Sequence, residues 1–163
     1  MKKKILKALL AALIVLVGLI LFWVISILII KFPLSVSNGN EKIKPTEVFL
    51  WSEGGGYCDD GYALFAGPLV TLEEEGKLDE VPQISYKKGI KVKLPLSSKI
   101  NLVSVYSVDN ISEAKYKGKS SSTFSNLEVG EWYVVYSVQT KNAFGNYGDA
   151  YVFKLIVDDG VTE

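Results

Sequence analysis

The sequence predicts an all-β outer domain, an immunoglobulin-like β-sandwich, carried behind one N-terminal transmembrane α-helix. Three observations predict it. Ala8 to Ile30 is an uncharged apolar run, short segments after Thr46 alternate apolar and polar residues with period two, and clusters of Gly, Asn, Asp, Ser and Pro separate those segments. The chain of 163 residues has room for one domain of ordinary size once the apolar N-terminus is set aside.

The apolar run holds 23 residues, of which 17 are Leu, Ile, Val or Phe. As a helix rising about 1.5 Å per residue it reaches roughly 35 Å, enough to cross a hydrocarbon core of about 30 Å with some tilt. Lys2, Lys3, Lys4 and Lys7 precede it and only Lys31 abuts its far end, so the positive-inside rule puts the N-terminus in the cytoplasm and the remainder outside. The rival reading is a cleaved signal peptide ending near Ser35-Val36-Ser37. Such peptides carry apolar cores of about 7 to 15 residues, and the greater length here favours an uncleaved anchor in the lipid bilayer. The expected boundaries are 1–7 for a cytoplasmic N-terminus, 8–30 for the membrane helix, 31–45 for a flexible linker, 46–159 for the β domain and 160–163 for a tail. The linker is read from Pro33 to Pro45, where turn formers dominate without lasting periodicity. A fragment beginning near Lys44 is therefore expected to fold by itself.

The strands follow in order. Glu47 to Trp51 is a short first strand and Gln83 to Tyr86 another, while Ile90 to Leu94 alternates apolar and charged residues. Ile100 to Val108 is rich in β-branched residues. Glu113 to Tyr116 and Thr123 to Ser125 are further short candidates. Glu131 to Thr140 places Trp132, Val134, Tyr136 and Val138 toward the core and Glu131, Ser137 and Gln139 toward water. A turn over Asn142 to Gly148 then leads to Tyr151, Phe153, Leu155 and Val157, which completes a C-terminal hairpin. No helical periodicity is evident outside the anchor; Glu73 to Lys77 could form a turn of helix, but Glu73, Glu74 and Glu75 in a row are read as a solvated loop.

Composition excludes several functions. From Phe32 onward 13 Lys face 18 Asp and Glu, a net charge of about −5, which argues against nucleic acid as a partner. The chain has no His and no Arg. Imidazole or paired-thiolate metal sites are thereby excluded, as is the Cys, His and Arg chemistry of membrane-tethered sortases. Signal peptidases use a Ser activated by Lys within a Ser-x-Met segment, and the only Met here is Met1. Cys58 is single and cannot form a disulfide within the chain; it is buried, paired with another chain or free, and a small core residue is the preferred reading over an intermolecular bridge. No cofactor and no metal site is expected, since Glu53, Asp59 and Asp60 match no calcium-loop spacing.

Gly55-Gly56-Tyr57-Cys58, Gly130 to Tyr136 and Ala150 to Val157 together resemble a group of uncharacterised surface lipoproteins of Gram-positive bacteria. In that group a Gly-x-Tyr-Cys-Trp segment precedes an aromatic C-terminal hairpin. Asp59 stands where those proteins carry Trp, and no second Cys is present. The resemblance implies a cell-surface β domain and no particular activity.

The expected function is a non-enzymatic binding or structural module at the outer membrane face, with a protein as partner. A cell-wall carbohydrate binder and a carboxylate-based enzyme are the alternatives. The candidate contact residues are Glu53, Gly54, Gly55, Gly56, Tyr57, Asp59 and Asp60, because consecutive Gly residues let a partner approach the backbone and the carboxylates favour a basic one. Tyr133, Phe144 and Tyr147 form the alternative, a platform that could stack on a sugar ring, with Tyr133 on the wetter strand face. If the strand order is immunoglobulin-like, these two surfaces lie at opposite ends of the domain.

Overall fold

The computed structural model describes residues 2–30, 33–52, 67–87, 90–95, 97–119, 124, 126–142 and 145–159. The chain divides into two compact units, Met1–Phe32 and Pro33–Glu163.

The first unit is helix α1, Lys2–Ile30, which extends the apolar run back through the lysines. Its stretch Ile5–Val24 is long and apolar enough to cross a membrane. The large apolar side chains are exposed all round the helix, from Leu6 to Phe22 at 71%. A helix apolar on every side needs an apolar surrounding, which water does not supply.

The second unit is mostly β. Its strands are β1 (Ser35–Ser37), β2 (Lys42–Ile43), β3 (Thr46–Ser52), β4 (Gln83–Ser85), β5 (Lys91–Lys93), β6 (Ser98–Ser107), β7 (Tyr116–Gly118), β8 (Gly130–Asn142) and β9 (Gly145–Val157). They form two sheets, one ordered β2-β1-β5 and one ordered β3-β9-β8-β6-β7, with β4 added in parallel along the later half of β9. The pairs within the first sheet are antiparallel, as are β3–β9, β9–β8, β8–β6 and β6–β7. The β8–β9 hairpin runs in unbroken register from Gly130↔Val157 to Asn142↔Gly145.

Three expectations change. Residues 33–45 are part of the fold, not a flexible linker. Leu34 and Val36 are 0% exposed, and β1 pairs with both β2 and β5. The turn formers close a tight hairpin: the Asn38 carboxamide oxygen accepts from the backbone N–H of Asn40 and Glu41 at 3.1 and 2.8 Å. Its Nδ2 donates to the Ser85 carbonyl at 3.0 Å, tying the hairpin to β4. Turn chemistry alone does not distinguish a tether from a hairpin; the buried Leu34 and Val36 do.

The second change is a helix, α2, Pro68–Glu74, followed by a 3-10 turn at Leu78–Glu80. Seven residues are too few to display a period, yet Leu69 and Leu72 fall three apart and are buried, while Glu73, Glu74 and Glu75 are exposed. Gly76, at φ 66°, ends the helix in a Schellman arrangement, with Lys77 N–H bonded to the Leu72 carbonyl at 2.8 Å and Gly76 N–H to Glu73 at 2.9 Å.

The third change concerns β8. Trp132, Val134, Tyr136 and Val138 are buried as expected, but so are Tyr133 and Val135 on the other face. A strand with neighbours on both sides and cover on both faces loses its alternation. Burial raises the Tyr133 hydroxyl above its ordinary value, with the charges of Asp79, Glu131 and Glu73 adding to the rise and that of Lys154 opposing it. The expected strand at Glu113 to Tyr116 falls instead at β7, Thr123 and Ser125 lie outside the described residues, and Phe124 is buried.

Candidate functional site

Strand alternation and register bring a set of polar side chains to one face at the β3 edge of the larger sheet. Glu47 stands opposite Tyr151 and Phe49 opposite Asp149, while across β9 Asp149 stands opposite Val138 and Tyr147 opposite Thr140. Thr140 in turn faces Ser98, their hydroxyls 2.6 Å apart. Register shifts between Phe49 and Trp51, which closes this arrangement toward the end of β3.

Burial on this face changes sharply over one strand. Phe49 is 51% exposed and Glu47 is exposed, whereas Asp149 and Tyr151, one strand inward, are each 3% exposed. Burial, reinforced by the negative charge of Glu47, pushes the Asp149 carboxyl from 3.8 up to about 7. Burial likewise raises the Tyr151 hydroxyl well above its ordinary value, helped by the charges of Glu47 and Asp149, and that hydroxyl donates a hydrogen bond to Glu47. Among the described residues no hydrogen-bond donor meets the Asp149 carboxylate and no lysine charge acts on it. The pair can hold a proton near neutral pH or balance a cation.

Sequence reasoning missed both carboxylates. A signal was present for Asp149, since it shares the parity of Tyr151, Phe153 and Leu155, the inward side of β9. A carboxylate at an inward position is rare enough to mark a site.

Of the residues expected to form the contact surface, Glu53, Gly54, Gly55, Gly56, Tyr57, Asp59 and Asp60 lie outside the described residues, as do Cys58 and Phe144. Tyr147 is half-buried beside the carboxylate pair. Tyr133 is not on a wet face: it is 2% exposed, with the Lys154 ammonium 5.6 Å from its ring centroid and held by Glu131 at 3.1 Å. It offers no surface to a sugar. The expected separation of the two surfaces rests on residues outside the described ones; the last residue of β3, Ser52, stands opposite Tyr147.

Two clefts are lined by described residues. One of about 340 Å³ lies among Glu41, Lys42 and Ile43 of the β1–β2 hairpin, Gln83–Ser85 of β4, and Ile156. The other, about 230 Å³, lies between the start of α2, Tyr106 and Ile111. No protein family, curated protein or solved structure matches the chain.

Proposed function

We propose that this chain is a non-enzymatic binding or structural module, held in the membrane by α1 with its N-terminus cytoplasmic and its β domain displayed outside, and that its partner is another protein. The observation that carries the reading is the exposure of apolar side chains on every side of α1, in a chain whose β unit has its own core. A bilayer supplies the missing cover, and the four lysines before the apolar run favour the cytoplasmic side for the N-terminus. An immunoglobulin-like relationship is supported by the neighbour order β9-β8-β6, which is that of three antiparallel strands in one sheet of such domains; an antiparallel β3 outside β9 departs from it. The buried position of Tyr133 removes support from the carbohydrate reading.

Topology is tested by protease added to protoplasts: the β domain is expected to be digested and the lysine-rich terminus spared, and protection of the C-terminal unit overturns the assignment. The partner is tested by capture from detergent-solubilised membranes. Asp59→Ala with Asp60→Ala is compared with Val129→Asp, a change at an exposed position beside the opposite end of the β8–β9 hairpin. Loss of a stoichiometric partner in the Asp pair alone supports the proposed contact surface, and loss only in Val129→Asp removes it.

A further inference from the structure

We infer that the outward face of the β2-β1-β5 sheet, which carries Lys42, Lys44, Lys91 and Lys93, docks on the anionic headgroups of the bilayer that holds α1. The inference rests on the reading of α1 as membrane-spanning, and not on which side of the membrane the β unit occupies.

The small sheet has two unlike faces. Val36 is buried in the core, and Ile43 and Val92, its neighbours on either side, pack against that core. By alternation Ser35, Ser37 and the lysines take the other face. Register lines them up: Lys42 and Lys91 flank Ser37 from its two sides, and Lys93 stands opposite Ser35. Lys44 follows β2 with the parity of Lys42, and all four lysines are exposed. The ion pairs among the described residues join Lys77 to Glu75, Lys115 to Glu128 and Lys154 to Glu131, and leave these four without a carboxylate. Glu41, the acidic neighbour of Lys42, accepts instead from Asn38 Nδ2 at 3.1 Å. The sequence shows the same segregation: Val81 to Val108 holds five lysines and no Asp or Glu, in a unit that is acidic as a whole.

Covalent reach and charge select the partner. Residues 31–34 alone lie between the last residue of α1 and the first of β1, and five steps of about 3.6 Å span at most about 18 Å. Ser35 is therefore tethered within that reach of the end of α1, and Lys93 stands one strand spacing, about 5 Å, from Ser35. An anionic bilayer attracts lysines beside a membrane helix, over a Debye length of about 8 Å at physiological ionic strength. The basic face thus begins where the tether enters the sheet. Lysine is a point charge on a flexible stem, which suits headgroup phosphates that move laterally and impose no fixed geometry. An apolar partner finds only lysine and serine here. An acidic protein would meet the same charges, but without the covalent confinement that keeps this face at the lipid surface.

The test uses the full chain in nanodiscs of phosphatidylcholine alone or of phosphatidylcholine with about 30% phosphatidylglycerol. Amines are acylated with a limiting N-hydroxysuccinimide ester, and the modified positions are read by mass spectrometry. Acylation at Lys42, Lys44, Lys91 and Lys93, relative to Lys77 and Lys117 in the same sample, is expected to be roughly threefold slower in the anionic discs. The difference should vanish at about 1 M salt, where the Debye length is about 3 Å. Lys91→Gln with Lys93→Gln changes exposed side chains and leaves the core intact, and in it the slowing at Lys42 and Lys44 should shrink. Equal acylation in the two lipids, in a chain that has incorporated, overturns the inference and leaves the membrane reading standing. A chain that incorporates into neither disc overturns both. Slowing that is the same at the reference lysines, or that persists in full at Lys42 and Lys44 in the double variant, overturns the inference as well, because no charged face is then selected.

Discussion

Asp149 is where single residues bear most on stability. Its carboxyl is held near 7 in the folded chain against an ordinary value of 3.8, so between those limits the folded state keeps a proton that the unfolded chain has released. Such a group contributes stability that is fully present below the unfolded value and is lost as pH rises through about 7. The wild-type melting temperature is expected to fall between pH 5 and pH 8, and Asp149→Asn to flatten that dependence and melt higher than wild type at pH 8. A melting temperature that climbs over this range would contradict the assignment. Tyr151→Phe removes the bond to Glu47 while keeping the ring in the core. The expected loss is about 1 kcal/mol, since the Glu47 end is exposed to water, and chemical denaturation measures it.

At the scale of elements, β8 and the β1–β2 hairpin carry the sharpest expectations. Trp132 is buried, donates from Nε1 to the Glu128 carbonyl at 3.0 Å, and lies under the Lys115 ammonium at 5.4 Å. Trp132→Ala should cost roughly 3–5 kcal/mol by urea titration, and Trp132→Phe considerably less. Removal of β1 and β2 is more severe. A fragment starting at Lys44 loses Leu34, Val36 and the Asn38 links, so it should show no cooperative unfolding transition, in contrast to one starting at Pro33. This reverses the expectation drawn from the sequence, and the reason is general. Long alternating segments such as Glu131 to Thr140 reveal a strand because their period is sampled several times. Ser35–Ser37 and Pro68–Glu74 are too short for that, and their burial is set by β5 partners 54 to 58 residues away in the first case and by packing against β9 in the second. The same limit hid the carboxylate pair. Asp149 has the inward parity of its strand, but only the β3–β9 register reveals that Glu47 is its neighbour.

Across the whole molecule, β9 is the strand on which the larger sheet is assembled. It pairs with β8 along its full length, with β3 over Thr46–Ser52 and with β4 over Gln83–Ser85. Only the β8 pairing is local in sequence. The β3–β9 ladder joins residues about 100 positions apart, and such non-local pairing places folding in the millisecond-to-second range of β-rich domains. Stopped-flow refolding of the unit beginning at Pro33 should fall in that range, and a microsecond rate would indicate that the hairpin alone reports the signal.

The position of β9 along the chain also orders events during synthesis. Every strand that β9 pairs with leaves the ribosome before it does, and at about 5–20 residues per second the β3 edge waits several seconds for its partner. Until then Thr46–Ser52, with Val48 and Phe49 in it, is an unpaired apolar strand. A nascent chain stalled before Gly145 therefore cannot complete the sheet whatever its earlier residues are, and messages shortened at that point should yield product that quality-control proteases remove.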